Sequence, residues 1–232
     1  MDSAGGGGDE RSGAFEGDDA SGGGQQQQQT RSFSFKVVLL GEGCVGKTSL
    51  VLRYVEDKFN ERHISTVQAS FLQKKINVSG NRVTQAIWDT AGQEKFHALG
   101  PIYYRHSNGA ILVYDITDKD SFEKVKIWVK ELKKMLGNEI CLCIAGNKSD
   151  LERERTVSTE EAESYAAMVG ATHFYTSAKL NHNIEELFLH LTEQMITSSL
   201  GTERKQTGRR NVVVVEQEQP PSPRPTSKGC CG

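Results

Sequence analysis

The stretch Gly41-Glu42-Gly43-Cys44-Val45-Gly46-Lys47-Thr48 fits the pattern G-x-x-x-x-G-K-[ST], and the apolar run Phe35 to Leu40 leads straight into it. Those residue types suit a polyphosphate. Gly41, Gly43 and Gly46 let the backbone wrap closely, so that the amides of a loop running through Cys44 and Val45 point at the charge. The positive end of a helix continuing from Ser49 points the same way. Lys47 would reach the terminal phosphates, and the Thr48 hydroxyl would bind Mg2+, a hard cation that prefers oxygen ligands. A second group, Asp89-Thr90-Ala91-Gly92-Gln93, closes another apolar run. There Asp89 would hold the magnesium through water, Gly92 would offer its amide to a terminal phosphate, and Gln93 would orient an attacking water. A third, Asn147-Lys148-Ser149-Asp150, follows a further apolar run. Its Asp150 can accept hydrogens from both the ring N1 and the exocyclic amine of guanine, whereas adenine presents a bare N1 to that carboxylate, a mismatch of several kcal/mol. Asn147 and Lys148 would brace the loop and cover the base. Ser177-Ala178-Lys179 would supply a backbone amide to the guanine oxygen.

These groups need an element that brings them together, and the chain supplies one. From Phe33 to about Leu200, apolar runs of strand length alternate with amphipathic stretches of helical length, the pattern of a doubly wound, mostly parallel α/β sheet with helices on both faces. Six strands are predicted, at residues 36–40, 69–78, 82–89, 110–115, 140–145 and 172–176. Ser79-Gly80-Asn81 is too short for anything but a turn, so the second and third strands must be antiparallel. Helices are predicted over 49–54, 121–136, 158–169 and 184–196. The second of these lines up Phe122, Val125, Val129, Leu132 and Leu136 and stops at Gly137-Asn138; the third opens with a capping-box spacing from Ser158 to Glu161. In an open sheet of this kind ligands bind beyond the carboxyl ends of the strands, where all four groups emerge.

The 232 residues accommodate one such domain and two tails, and a net charge of −2 argues against a nucleic-acid partner. Residues 1–32, rich in Gly, acidic residues and Gln, are expected to be disordered, and residues 201–232 are expected to form a polar tether. The start shows neither a secretion signal nor a Met-Gly acylation site, and no run is long enough for a membrane helix, so a cytosolic protein is expected. The histidines lack ligand spacing and read as surface or packing residues. Cys141 and Cys143 alternate along a strand as small hydrophobes. Cys230 and Cys231 stand together near the end, in a Cys-Cys-Gly ending that is no C-a-a-X box.

The four groups, in this order and spacing, resemble the Ras superfamily of small GTPases over about residues 34–198. Trp88 to Glu94, Tyr103-Tyr104-Arg105 and Leu112 to Thr117 are similar to the Rab branch, and Thr66 to Phe71 with His97 to Pro101 to its endosomal members. The resemblance implies a switch that binds and slowly hydrolyses GTP and cycles between GDP-bound and GTP-bound states. Its implied partners are a guanine nucleotide exchange factor, a GTPase-activating protein, a Rab escort protein, a GDP dissociation inhibitor and GTP-dependent effectors on endosomal membranes. It implies that Phe59 packs against guanine and that Thr66 binds magnesium and the terminal phosphate in the GTP state. It also implies that Phe71, Trp88 and Tyr103 face effectors, although three aromatics also serve as ordinary core. Cys230 and Cys231 would carry geranylgeranyl groups, two chains holding where one holds only marginally. Val212 to Val215 stands where Rab tails dock on the escort and inhibitor proteins, or is a chance apolar run. Val67-Gln68 departs from the Ile-Gly usual in Rabs at that place. A nucleotide-locked scaffold without hydrolysis and a phosphate-loop kinase remain the rival readings.

Overall fold

Apolar residues dominate the stretch from Phe35 to Leu40, so a strand there is buried from both faces, and in the computed structural model β1 (Ser32–Leu40) is the interior strand from which the rest is laid out. The structure describes residues 30–62, 66, 69–90 and 100–209. The six-stranded sheet has the order β2-β3-β1-β4-β5-β6, with β2 Ser70–Val78, β3 Asn81–Asp89, β4 Gly109–Asp115, β5 Cys141–Asn147 and β6 Thr172–Tyr175. β1 pairs in parallel with both β3 and β4. Only β2 runs against its neighbour, joined to β3 by a turn in which Ser79 and Gly80 both take positive φ, 50° and 77°. Successive strands lie to opposite sides of β1, which makes its carboxyl end the crevice where such sheets bind ligands.

Helices α1 (Lys47–Glu56) and α5 (Ile184–Arg209) cover one face through Leu50, Val51, Tyr54, Leu187, Phe188, Leu191 and Met195. On the other face lie α3 (Lys119–Leu136) and α4 (Thr159–Val169), which bury Phe122, Val125, Val129, Leu132, Ala162 and Ala166. The predicted caps form: the Ser158 hydroxyl accepts from the Glu161 amide at 3.1 Å, and Gly137 ends α3 at φ 80°. Two short elements went unpredicted, α2 (Gly100–Tyr104) and a 3₁₀ helix over Ser149–Glu154. α5 also runs on to Arg209, past the predicted end at Ile196 and past Leu200, where a polar tail was expected to begin. Its continuation holds two glycines and several serines and threonines, so propensity does not carry it; Leu200 packs against the core and extends the buried face past the predicted end. No helix among the described residues is long and apolar enough to cross a membrane.

Several polar groups inside the core are paired. The Tyr54 hydroxyl donates to Gln85 Oε1 at 2.8 Å, Gln85 Nε2 donates to Thr192 Oγ1 at 2.5 Å, and Thr192 Oγ1 donates to the Phe188 carbonyl, so α1, β3 and α5 share one buried chain of hydrogen bonds. His173, beside the Tyr114 hydroxyl at 3.0 Å, is pushed down to about 4 by burial and stays neutral. Burial pushes the thiols of Cys141 and Cys143 up to about 11 and about 12, which fits small hydrophobes and not reactive centres.

Candidate functional site

The loop that follows β1 folds as its glycines require. Gly41 (φ 149°) and Gly46 (φ 96°) take backbone conformations that strain other residues, and neither has room for a side chain. A Cβ at Gly41 would run into the Val113 carbonyl oxygen, and one at Gly46 into the Asn147 side-chain amide. Gly43 donates its amide to Glu42 Oε1 at 3.3 Å, Val45 is buried, and Cys44 is exposed at φ 61°. Lys47, at the first turn of α1, is almost fully buried and donates to the carbonyls of Gly41 at 2.9 Å and Glu42 at 2.8 Å. Burial holds its ammonium down at about 8, against the raising influence of Asp89, Glu42 and Cys44. An ammonium has three hydrogens, so one remains for an anion cradled by the loop.

Register delivers the acidic residue. β1 and β3 align Leu39 with Asp89, which places Asp89 at the sheet's edge over Thr48. Thr48 Oγ1 donates to Asp89 Oδ2 at 2.6 Å and lies 2.7 Å from Thr66 Oγ1, so three oxygen side chains from three separate segments meet. Asp89 is fully buried and its Oδ1 has no hydrogen-bond partner. Desolvation raises its pKa, against the lowering influence of the hydroxyls of Thr48 and Ser70 and the charge of Lys47. A buried carboxylate oxygen left unpaired beside two hydroxyls is a donor set that fits Mg2+.

The base side is assembled from the other strand ends. β4 and β5 align Asp115 with Asn147, and Lys148, at φ 64°, turns back to pair with Asp115 Oδ2 at 2.6 Å. Asn147, buried, donates to the Val45 carbonyl at 2.8 Å and accepts from Thr176 Oγ1 at 3.3 Å. It thus ties the phosphate loop, β5 and the end of β6 together. Asp150 accepts from the Ser177 hydroxyl at 2.5 Å, which orients its carboxylate. A cleft of about 340 Å³ opens here, lined by Cys44, Gly46, Ser49, Phe59, Asn147, Lys148, Asp150, Ala178 and Lys179 among others. Residues of the phosphate loop, the Asn147–Asp150 group and the Ser177–Lys179 group, predicted from stretches far apart in sequence, share this cavity with Phe59.

Gly92 and Gln93 lie outside the described residues, as do Val67 and Gln68, the stretch Val212 to Val215, and Cys230 and Cys231. The three aromatics are brought together: Phe71 meets Trp88 edge-on with ring centroids 5.4 Å apart, and Trp88 lies 6.3 Å from Tyr103. Phe71 is 54% exposed, which sets it apart from an ordinary core residue. Sequence reasoning missed two residues at the cleft. Arg53 donates to the Ala178 carbonyl at 3.0 Å, and Glu61 pairs with Lys179 at 3.5 Å. Neither belongs to a motif; the only signal was a basic residue in the last turn of a predicted helix and an acidic one two places after Phe59.

Comparison with known proteins agrees with this geometry. The Ras family model matches residues 36–197. Ras-related protein Rab-21 of Homo sapiens is 66% identical over 87% of this chain and 92% of its own length. The protein of the same name from Dictyostelium discoideum is 65% identical over 72% of this chain and 79% of its own, and that from Geodia cydonium 62% identical over 71% and 72%. A phosphate loop, a triad of oxygen donors and a base cleft in this order, in a sequence this similar, admit one conclusion: the chain belongs to the Ras family, in its Rab branch of GTP-hydrolysing small GTPases.

Proposed function

We propose that the chain is a guanine-nucleotide switch of endosomal membrane traffic, inactive with GDP and active with GTP. The observation that carries this reading is the meeting of Thr48, Thr66 and Asp89. Thr66 belongs to a segment separate from the phosphate loop, and its hydroxyl reaches the loop's threonine at 2.7 Å. A hydroxyl contributed from outside the loop is suited to register whether a terminal phosphate is present. Thr48, Thr66 and Asp89 would hold Mg2+, which when bound neutralises charge on the phosphate oxygens.

The protein's own residues account for the rest. Lys47 directs its remaining hydrogen at the phosphoryl oxygens from a position fixed by two carbonyls, so no reorganisation is needed as charge shifts toward the leaving oxygen. The amides of the loop from Gly41 through Ser49 cradle the phosphates, and the Gly92 amide adds to them. Gln93 orients the water that attacks the terminal phosphorus, giving GDP and phosphate. Asp150 reads the guanine edge, the Ala178 amide reads its oxygen, and Phe59, Lys148 and Lys179 cover the ring. No described side chain projects as an arginine finger, so a GTPase-activating protein sets the rate, raising it by ~10³ to 10⁵. An exchange factor reloads the site. Effectors of the GTP state dock on Phe71, Trp88 and Tyr103. The tails flank the domain, the one before β1 and the one after α5, the second carrying Cys230 and Cys231 for prenylation by way of an escort protein and for extraction by a dissociation inhibitor.

Single-turnover hydrolysis of bound GTP tests this. Slow turnover in the wild type, still slower in Gln93→Leu, is expected. A wild type that holds GTP unhydrolysed even with an activating protein would leave only a binding scaffold.

A further inference from the structure

Two of the segments that wall the base cleft are loops that share no strand. One follows α1 and carries Phe59 and Glu61; the other follows β6 and carries Ser177, Ala178 and Lys179. Nothing in the sheet holds them together, so whatever joins them decides how readily the cleft opens. Arg53 and the Glu61–Lys179 pair both fasten them. Beneath the cleft, Arg53 of α1, with only 16% of its side chain exposed, donates from Nε to the Ala178 carbonyl at 3.0 Å. Its Nη1 donates to the Asp57 carbonyl at 3.1 Å and to Asp57 Oδ1 at 3.0 Å, and its guanidinium lies 5.8 Å from the centre of the Phe59 ring. At the rim, Glu61 and Lys179 close an exposed ion pair at 3.5 Å.

We propose that Arg53 is a positioning residue of the guanine cleft, joining the loop that carries Phe59 to the loop that carries Ala178 and so setting how fast the nucleotide leaves, with Glu61 and Lys179 fastening the same loops at the rim. The inference rests on the guanine reading of Asp150 and Ala178 given above. The guanidinium suits the task because its donors lie in a rigid fork, so one side chain fixes a carbonyl on one loop and two oxygens on the other at once. A lysine can make one of these contacts but not hold all three. By fixing the Ala178 carbonyl, Arg53 fixes the peptide plane that runs on to Lys179, which leaves the Ala178 amide aimed at the base only one φ/ψ pair away from an anchored plane. Capping alone explains less. The oxygens of Asp57 lie at the carboxyl end of α1, where any cation is favourable, but the Ala178 carbonyl belongs to neither α1 nor its cap.

The test is release of fluorescent GDP from the full-length, magnesium-loaded protein, with GDP and ADP affinities measured alongside. Arg53→Met is expected to release GDP about tenfold faster, a change of about 1.4 kcal/mol. Its preference for GDP over ADP falls by a similar factor, because the wall that loosens is the one that reads the ring oxygen. Arg53→Lys lies between it and the wild type. Glu61→Gln releases GDP about two- to fivefold faster at low salt, and the difference from wild type closes near ~1 M salt, as expected of an exposed ion pair. If Arg53→Met melts earlier but keeps both the release rate and the GDP preference within twofold of wild type, Arg53 is only a helix cap and the proposal is overturned. Should Arg53→Met fail to fold, Arg53→Lys and Glu61→Gln carry the comparison, and unchanged release in both overturns it equally. A wild type without preference for GDP over ADP refutes the underlying guanine reading, and shows itself before any variant is compared.

Discussion

Replacing Asn147 with alanine should loosen nucleotide binding more than any other single deletion of a neutral side chain at the site. Asn147 is 2% exposed and makes two side-chain hydrogen bonds, to the Val45 carbonyl at 2.8 Å and from the Thr176 hydroxyl at 3.3 Å. Truncation leaves both partners without it, and a buried polar group left unpaired costs about 1–3 kcal/mol. The Thr176 contact is long and that hydroxyl can rotate to a new partner, so most of the loss falls on Val45, in the phosphate loop. Taking about 2 kcal/mol for that bond predicts GDP release about thirtyfold faster. The assay is a fluorescent-GDP chase, run with urea unfolding of the GDP-bound protein as a check on folding. Release within threefold of wild type in a folded variant would refute the reasoning, because it would mean that the loop holds its shape without the β5 bridge. A companion variant sharpens the argument. Gly46→Ala should be severely impaired on its own, since its Cβ meets the Asn147 amide. In the Asn147→Ala background that clash is gone, and only the backbone strain of φ 96°, about 1–3 kcal/mol, should remain.

Lys47 makes the site a proton acceptor. Its ammonium is held at about 8 by burial, below the usual 10.5, so between those values the folded, nucleotide-free protein binds fewer protons than the unfolded chain and its stability rises with pH. Phosphates restore the charge, so GDP binding at pH 8.5 should take up about three-quarters of a proton, against about one-tenth at pH 7, measured by titration calorimetry in buffers of different ionisation enthalpy. Uptake that does not grow with pH would place the amine away from the phosphates. For the carboxyl-terminal pair, mass spectrometry of protein from eukaryotic cells should find two geranylgeranyl groups, and a Cys230→Ser, Cys231→Ser variant should leave the membrane fraction. Unmodified thiols, or a double variant that still sediments, would remove the anchor from the account.

How much of this was legible in the sequence depended on whether the chemistry was local. The phosphate loop announces itself because a polyphosphate cradle needs glycines and a lysine within a short stretch of backbone, and two of those glycines, Gly41 and Gly46, sit where a side chain cannot. Strands showed through because β4, and β1 from Val37 on, are buried on both faces and so are mostly apolar. The antiparallel β2 followed from the shortness of the turn at Ser79 and Gly80. Contacts between distant segments left no such trace. That Thr66 reaches Thr48 came from resemblance and not from spacing, and the buried chain from Tyr54 through Gln85 to Thr192 is spread over three elements whose polar members look like surface residues in sequence. Arg53 was hidden for the same reason, a basic residue in a last helical turn being an ordinary sight. α5 outran its predicted end because Leu200 alone continues its buried face, too little to register as a period in the sequence.

The central claim is that the cleft beside Asp150 reads guanine, and a nucleotide panel on the wild type and Asp150→Asn tests it most directly. The Ser177 hydroxyl orients the carboxylate at 2.5 Å, and its two charge-assisted bonds to the guanine edge are together worth about 4 kcal/mol. Asp150→Asn should therefore lose GDP affinity on the order of a thousandfold and gain affinity for xanthosine diphosphate, whose second carbonyl accepts from the new amide, while neither protein binds ADP tightly. An Asp150→Asn variant that binds GDP as the wild type does would contradict the account, because the carboxylate would then not touch the base.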